Sequence, residues 1–157
     1  MLNFLNNYLS GRNQKVVIGN KISVNKQVSS GISQGSILGP ILFVLFINDI
    51  PSGISDKTNI RLYADDTKIW HIIDSPDDNE LLQHDINYVN NWAKCNNMKF
   101  YPTKCKVLSV RHRLPSHLFS YKLGDENLDY TECEKDIGFD ITPTLNWSHH
   151  CDHIYLL

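Results

Sequence analysis

Asn59-Ile60-Arg61-Leu62-Tyr63-Ala64-Asp65-Asp66-Thr67-Lys68-Ile69-Trp70-His71-Ile72-Ile73 is the stretch on which the fold turns. Two β-prone runs, Ile60 to Tyr63 and Thr67 to Ile73, flank a polar centre. That pattern predicts a hairpin with Ala64, Asp65 and Asp66 exposed at its tip. Adjacent carboxylates are costly neighbours, because like charges raise each other's pKa unless a cation neutralises them. Magnesium does this well, held by one or two carboxylates plus phosphate and water oxygens. In a two-metal site the ions sit about 4 Å apart and clamp the attacking and leaving oxygens of a phosphoryl transfer. A third carboxylate, from elsewhere in the chain, normally bridges such ions. Taken alone, the pair also reads as a solvated turn, since aspartate favours turns on its own account.

Working upstream, Gly31-Ile32-Ser33-Gln34-Gly35 reads as a glycine-punctuated loop, and a helix is predicted from Ile37 or Gly39 to about Asn48. Pro40 is tolerated in its first turn. Its middle is apolar on nearly every face, which predicts burial on most sides. Lys15 to Ile18 reads as a strand, Gly19-Asn20 as a turn, and a second strand is expected around Ile22 to Val28. Downstream, Ser75-Pro76-Asp77-Asp78 starts a helix: an N-cap serine, proline at the first position and acids in the first turn. Leu82, Ile86, Val89 and Ala93 recur at helical spacing, with Trp92 beside them, so the helix should reach about Asn96. Strands are expected at Lys106 to Val110, Phe119 to Leu123 and Ile137 to Ile141, with a last helix opening at Asn146-Trp147-Ser148. The fold class predicted is α+β: an antiparallel sheet with the helices Gly39–Asn48 and Ser75–Asn96 on one face.

The chain has 157 residues, 41% of them hydrophobic, enough for a modest core, and a formal net charge of -2. That balance lacks the basic field of a complete nucleic-acid enzyme. Cys95, Cys105, Cys133 and Cys151 show no C-x-x-C spacing, and Met1 to Ser10 lacks a signal-peptide pattern. Reduced thiols in the cytoplasm or nucleus are the simpler expectation. The longest apolar run, Ile37 to Ile47, is too short for a membrane span of about 20 residues. His149, His150, Cys151 and His153, with Cys133 upstream, are zinc-ligand types, but their spacing matches no common closed site, and a polar helix is the simpler reading. Trp70, Trp92 and Trp147 offer stacking surfaces for bases; Trp92 falls on the apolar helix face, where core packing is the simpler role.

Tyr63-Ala64-Asp65-Asp66 resembles the catalytic-loop signature of reverse transcriptases. Upstream, Ser30 to Phe43, with Gln34-Gly35 and Leu38-Gly39-Pro40, continues into Phe46, Asn48-Asp49 and Pro51. That run resembles the motif preceding the catalytic loop in non-LTR, LINE-like retrotransposon polymerases. The resemblance extends through Trp92, Met98-Lys99-Phe100, Lys104-Cys105 and Lys135-Asp136-Ile137-Gly138 to Leu145-Asn146-Trp147, nearly the whole chain.

The resemblance implies an RNA-directed DNA polymerase: a partial palm over residues 1–112, and a primer-grip-like hairpin with the start of a thumb over 113–157. Asp65 and Asp66 would be catalytic acids and metal ligands of a two-magnesium site, Asp65 the firmer of the two. Gly31, Gln34, Gly35 and Tyr63 would line the pocket for template and incoming nucleotide. Glycines let backbone approach a nucleotide closely, and Gln34 offers donor and acceptor together. Lys104 would be the general acid for the leaving pyrophosphate, although a lysine before a strand is also an ordinary solvated end. Lys135, Ile137 and Gly138 would form the primer grip, or an ordinary strand pair. Implied partners are an RNA template, a DNA primer, deoxynucleotides and other domains of the same polyprotein, with no membrane. Two positions depart from the family pattern: Ser33 stands where proline is usual, and Tyr101 where asparagine is usual. The motif bearing the first catalytic aspartate is expected upstream of residue 1, and Asp49 is a poor substitute for it. These residues alone are therefore expected not to polymerise DNA. The alternative reading is a catalytically dead remnant or a nucleic-acid-binding module.

Overall fold

The computed structural model describes residues 2–29, 31, 35–110 and 119–155, with His153 described by its backbone alone. The architecture is mixed α+β, with four α-helices and small two-stranded pairs among the described residues. The chain divides into two compact units, Met1–Ile47 and Asn48–Leu157.

The first unit holds α1 (Leu2–Leu9), β1 (Asn13–Gln14), β2 (Val17–Ile18), β3 (Lys21–Ile22), β4 (Lys26–Gln27) and α2 (Leu38–Ile47). β2 pairs with β3 and β1 with β4, both antiparallel. The long second strand expected around Ile22 to Val28 is split in two. Val16 donates its amide to the Ser23 hydroxyl rather than to a backbone carbonyl, which interrupts the ladder between the two pairs. α2 begins where expected, with the Gly39 amide donating to Ser36 Oγ at 3.2 Å. Its burial departs from expectation: Gly39 and Ile47 are buried, while Ile41, Val44, Leu45 and Phe46 are all at least 42% exposed. A helix apolar on every side needs partners on every side. The described residues of this unit cover one side only.

The second unit is organised around α3 (Pro76–Cys95). Its buried stripe is Asp85, Val89 and Ala93. The helix packs against a 3-10 turn, Ile50–Gly53, and against β8 (Lys122–Leu123), and the unit's core also takes in Ile60 and Tyr121. Gln83 pairs with the β8 backbone through both ends of its amide: Nε2 donates to the Lys122 carbonyl at 2.9 Å, and Oε1 accepts the Lys122 amide at 2.8 Å. A side chain thus completes the hydrogen bonds of a strand edge that no other strand among the described residues covers.

The start of α3 follows its sequence signal. Ser75 donates its amide and its hydroxyl to Asp78 Oδ2 at 2.8 and 2.7 Å. Those bonds, the hydroxyl's first, lower the Asp78 carboxyl from 3.8 to about 2. A depressed carboxyl contributes stability above its unfolded pKa and loses it as pH falls through the folded one. Helicity of α3 should therefore hold above pH 4 and decline towards pH 2, with Asp78→Asn removing most of that pH dependence. Circular dichroism of the two proteins across that range checks it.

The other strands are β5 (Asn59–Tyr63), β6 (Asp66–Trp70), β7 (Lys106–Val107), β9 (Glu126–Asn127), β10 (Asp129–Tyr130), β11 (Glu134–Asp136) and β12 (Phe139–Ile141). β5 pairs with β6, β8 with β9 and β11 with β12, all antiparallel. β7 and β10 pair parallel, with Lys106 Nζ 2.9 Å from Asp129 Oδ2 across the register. The single antiparallel sheet expected from the pattern is thus replaced, among the described residues, by separate pairs, one of them parallel. The expected strands 106–110 and 119–123 shorten to Lys106–Val107 and Lys122–Leu123. The strand expected at Ile137 to Ile141 begins at Phe139 instead. Ile137 and Gly138 form the turn, at φ 46° and 88°. Two successive left-handed residues suit the twist of a tight hairpin, and Gly138 adopts that conformation without strain. Last, α4 (Ser148–Tyr155) follows β12 and packs on it. His150 is buried there, its Nδ1 accepting the Asp140 amide at 3.2 Å.

Candidate active site

β5 and β6 are in register from Asn59↔Trp70 to Tyr63↔Asp66, so a two-residue turn, Ala64-Asp65, closes the hairpin. Strand alternation places Ile60, Leu62, Thr67 and Ile69 on the covered face and Arg61, Tyr63, Asp66, Lys68 and Trp70 on the exposed one. Arg61 lies over the Trp70 ring, 5.6 Å from its centroid, a diagonal contact on that exposed face. Asp65 and Asp66 are exposed at the tip, as the sequence pattern predicts, and Tyr63 beside them is 66% exposed.

Ala64 holds φ 52°, in the left-handed region where a side chain costs about 1–2 kcal/mol. Ala64→Gly should relieve that strain. Offset by glycine's freedom in the unfolded chain, the net gain should stay below about 1 kcal/mol. Thermal melting of the variant checks the sign: a lower melting temperature would show that the tip is not strained.

The tip supplies oxygen donors alone, in open solvent, a set that suits a hard cation keeping several waters. Among the described residues no group of three or more His, Cys, Asp or Glu side chains converges on one point, so the tip carboxylates stand as a pair. At the other cluster weighed from the sequence, Cys133 Sγ lies 3.8 Å from His149 Nδ1. Burial, and then the charges of Asp140 and Glu134, push the Cys133 thiol up.

The remaining sequence candidates lie on other elements. Lys135, Ile137 and Gly138 occupy the β11–β12 hairpin, and the Lys68–Asp136 ion pair ties that hairpin to β6. Lys104 ends a 3-10 turn, Pro102–Lys104, and its Nζ lies 5.8 Å from the centroid of the Tyr101 ring, with Lys99 Nζ at 5.9 Å. Tyr101, a departure from the expected pattern, thus gathers two ammonium groups. In the first unit, Gly31 and Gly35 hold φ 83° and 77°, and the Gly31 carbonyl accepts Arg12 Nη2 at 2.6 Å. Gln34 lies outside the described residues.

One constellation escaped the sequence reading. Asp85, 0% exposed, accepts the amide and hydroxyl of Ser55, and Thr58 bonds to His71 at the feet of the β5–β6 hairpin. Burial alone would push the Asp85 carboxyl up, but the hydroxyls of Thr58 and Ser55 and the Ser55 amide outweigh it and hold it below the usual carboxylate range. A signal existed: Asp85 sits on the stripe of Leu82, Ile86, Val89 and Ala93, where a charge needs partners. No helix among the described residues is long and apolar enough to cross a membrane.

Residues 3–139 match the family model described as reverse transcriptase (RNA-dependent DNA polymerase). The chain is 26% identical over 148 residues to the RNA-directed DNA polymerase from mobile element jockey of Drosophila melanogaster, covering 88% of this chain and 16% of that protein. It is 28% identical over 144 residues to the jockey polymerase of Drosophila funebris, covering 78% of this chain and 15% of that protein. Over 70 residues it is 34% identical to the probable RNA-directed DNA polymerase from transposon X-element of Drosophila melanogaster, covering 43% of this chain and 8% of that protein. The chain thus spans less than a fifth of the length of these relatives. No solved structure matches it.

Proposed function

This chain belongs to the reverse transcriptase (RNA-dependent DNA polymerase) family, and from that premise we propose that it carries the carboxylate tip of an RNA-directed DNA polymerase site. The observation that supports the reading most is the tight turn presenting Asp65 and Asp66 together, exposed, beside Tyr63. In this reading residues 1–112 belong to the palm, and residues 113–157 to the primer-grip hairpin and the start of the thumb. Asp65 and Asp66 hold magnesium, which when bound supplies charge balance and Lewis-acid activation of phosphate oxygens.

The reaction is attack of a primer 3′-hydroxyl oxygen, its proton passing to water, on the α-phosphorus of a deoxynucleotide. The new O–P bond forms as the bond to the β-phosphate oxygen breaks, and pyrophosphate leaves. Lys104 gives its proton to that leaving group. Gly31, Gln34 and Gly35, with Tyr63, shape the nucleotide and template pocket. Lys135, Ile137 and Gly138 steady the primer. The protein's share is positioning and electrostatics rather than covalent chemistry. Partners are an RNA template, a DNA primer, deoxynucleotides and other domains of one polyprotein, at an intracellular site. The test is primer extension by a protein carrying this chain. Extension templated by RNA and dependent on magnesium is expected; extension that persists without a template rejects the reading.

A further inference from the structure

The feet of the β5–β6 hairpin end in polar side chains that the reaction above does not use. Thr58 precedes β5 and His71 follows β6, and Thr58 Oγ1 lies 2.9 Å from His71 Nδ1. The His71 side chain is 3% exposed, and its Nε2 lies 3.5 Å from Asp78 Oδ1 in the first turn of α3. On the other side, Ser55 Oγ is 3.1 Å from Thr58 Oγ1 and 2.7 Å from Asp85 Oδ2, while Asp85 Oδ1 accepts the Ser55 amide at 3.2 Å. Each hydroxyl has one proton for two neighbours: Ser55 Oγ lies within hydrogen-bond distance of Asp85 Oδ2 and Thr58 Oγ1, and Thr58 Oγ1 of Ser55 Oγ and His71 Nδ1. A series of polar contacts therefore runs from Asp85 across both feet of the hairpin to Asp78, about two helical turns earlier on α3.

We propose that Thr58, His71 and Asp85 are positioning residues that fix the direction in which the hairpin presents Asp65 and Asp66. The proposal rests on the reading of that tip as the metal-holding end. Three observations carry it. A two-stranded hairpin is marginal alone, and among the described strands β5 and β6 pair only with each other. Ile60 is the buried residue of the pair, and the other tether, Lys68 to Asp136, is a partly exposed ion pair worth at most about 1 kcal/mol. The angle to α3 is therefore set at the feet, where the partners are buried and directional. The lever is long: five residues at about 3.4 Å each put the tip roughly 17 Å from the feet, so a tilt of about 5° moves it about 1.5 Å. A misplacement of about 1 Å can cost a reaction on the order of a hundredfold.

The experiment measures residual dipolar couplings of the backbone amides in β5, β6 and α3, in this chain and in Thr58→Val, Thr58→Ser and Asp85→Asn. The wild type should fit one alignment frame for hairpin and helix. Thr58→Val and Asp85→Asn should need two, and Thr58→Ser, which keeps the hydroxyl, should return to one. Manganese broadening of the Asp65 and Asp66 amides is read in parallel. Its apparent affinity should fall about threefold to tenfold in Thr58→Val, below the 10–100-fold typical of groups that bond a metal ligand directly. A purely stabilising role would lower the melting temperature yet keep a single frame, and that result overturns the proposal, as does equal behaviour of the valine and serine variants. Should the valine variant not fold, His71→Gln supplies the same comparison. Absence of manganese broadening in the wild type would reject the metal reading, while the couplings still decide the positioning.

Discussion

Asp65→Asn should reduce RNA-templated primer extension by a factor on the order of a thousand or more, in a polymerase carrying this chain. The substitution keeps the side chain's size and one acceptor oxygen. It removes the negative charge that balances a divalent cation, and one of the two oxygens available to it. Asp65 is exposed in a two-residue turn. Folding should therefore be preserved, with a melting temperature within about 2 °C of wild type, less than 1 kcal/mol on the usual scaling. The loss should fall on kcat, since the charge matters most where phosphate charge develops. Asp66→Asn should follow the same direction with a smaller loss. Single-turnover extension with saturating nucleotide separates chemistry from binding. An Asp65→Asn protein that keeps more than a tenth of wild-type kcat would remove Asp65 from the site.

The largest structural effect is expected at Ile50. Its residue is 2% exposed, in the 3-10 turn that packs on α3, and it is one of the two largest fully buried side chains among the described residues. Ile50→Ala deletes three buried carbons and leaves a cavity that a pinned turn cannot close, because Pro51 fixes the backbone immediately after it. Such truncations cost about 2–5 kcal/mol. For a chain of this size that corresponds to a fall in melting temperature of roughly 5–15 °C. Ile50→Val should cost about 1 kcal/mol, since it removes one methylene. Equal melting temperatures for Ile50→Ala and wild type would show that α3 is anchored elsewhere.

How much was legible in the chain differs from element to element. The β5–β6 hairpin was readable apart from its far end, which stops at Trp70 rather than Ile73, and the exposed acids at its tip were readable too, because alternation and a turn are local properties of adjacent residues. α3 was readable for the same reason: Ser75-Pro76 marks its start and Leu82, Ile86, Val89 and Ala93 mark its buried side. The turn at Ile137-Gly138 was misplaced into a strand. An isoleucine scores as β-prone, and only the paired geometry of β11 and β12 forces it into a left-handed turn. α2 carried a correct helix signal and a wrong burial. Periodicity reports which sides are apolar, not which sides find a partner.

The sequence by itself determined the family, through the order of Gln34-Gly35, Tyr63 to Asp66 and Lys104, and it determined the local geometry that sets two carboxylates on one turn. Tertiary structure alone decided the rest. It paired β7 with β10 in parallel and set Lys68 against Asp136, joining two hairpins remote along the chain. It also turned Asp85 from an anomaly on an apolar stripe into the buried end of a polar chain that holds the feet of the hairpin. The physical reason is the range of the forces involved. Backbone propensity and side-chain period act over a few residues. A buried hydrogen bond or an ion pair depends on which distant segments the fold brings within about 3 Å.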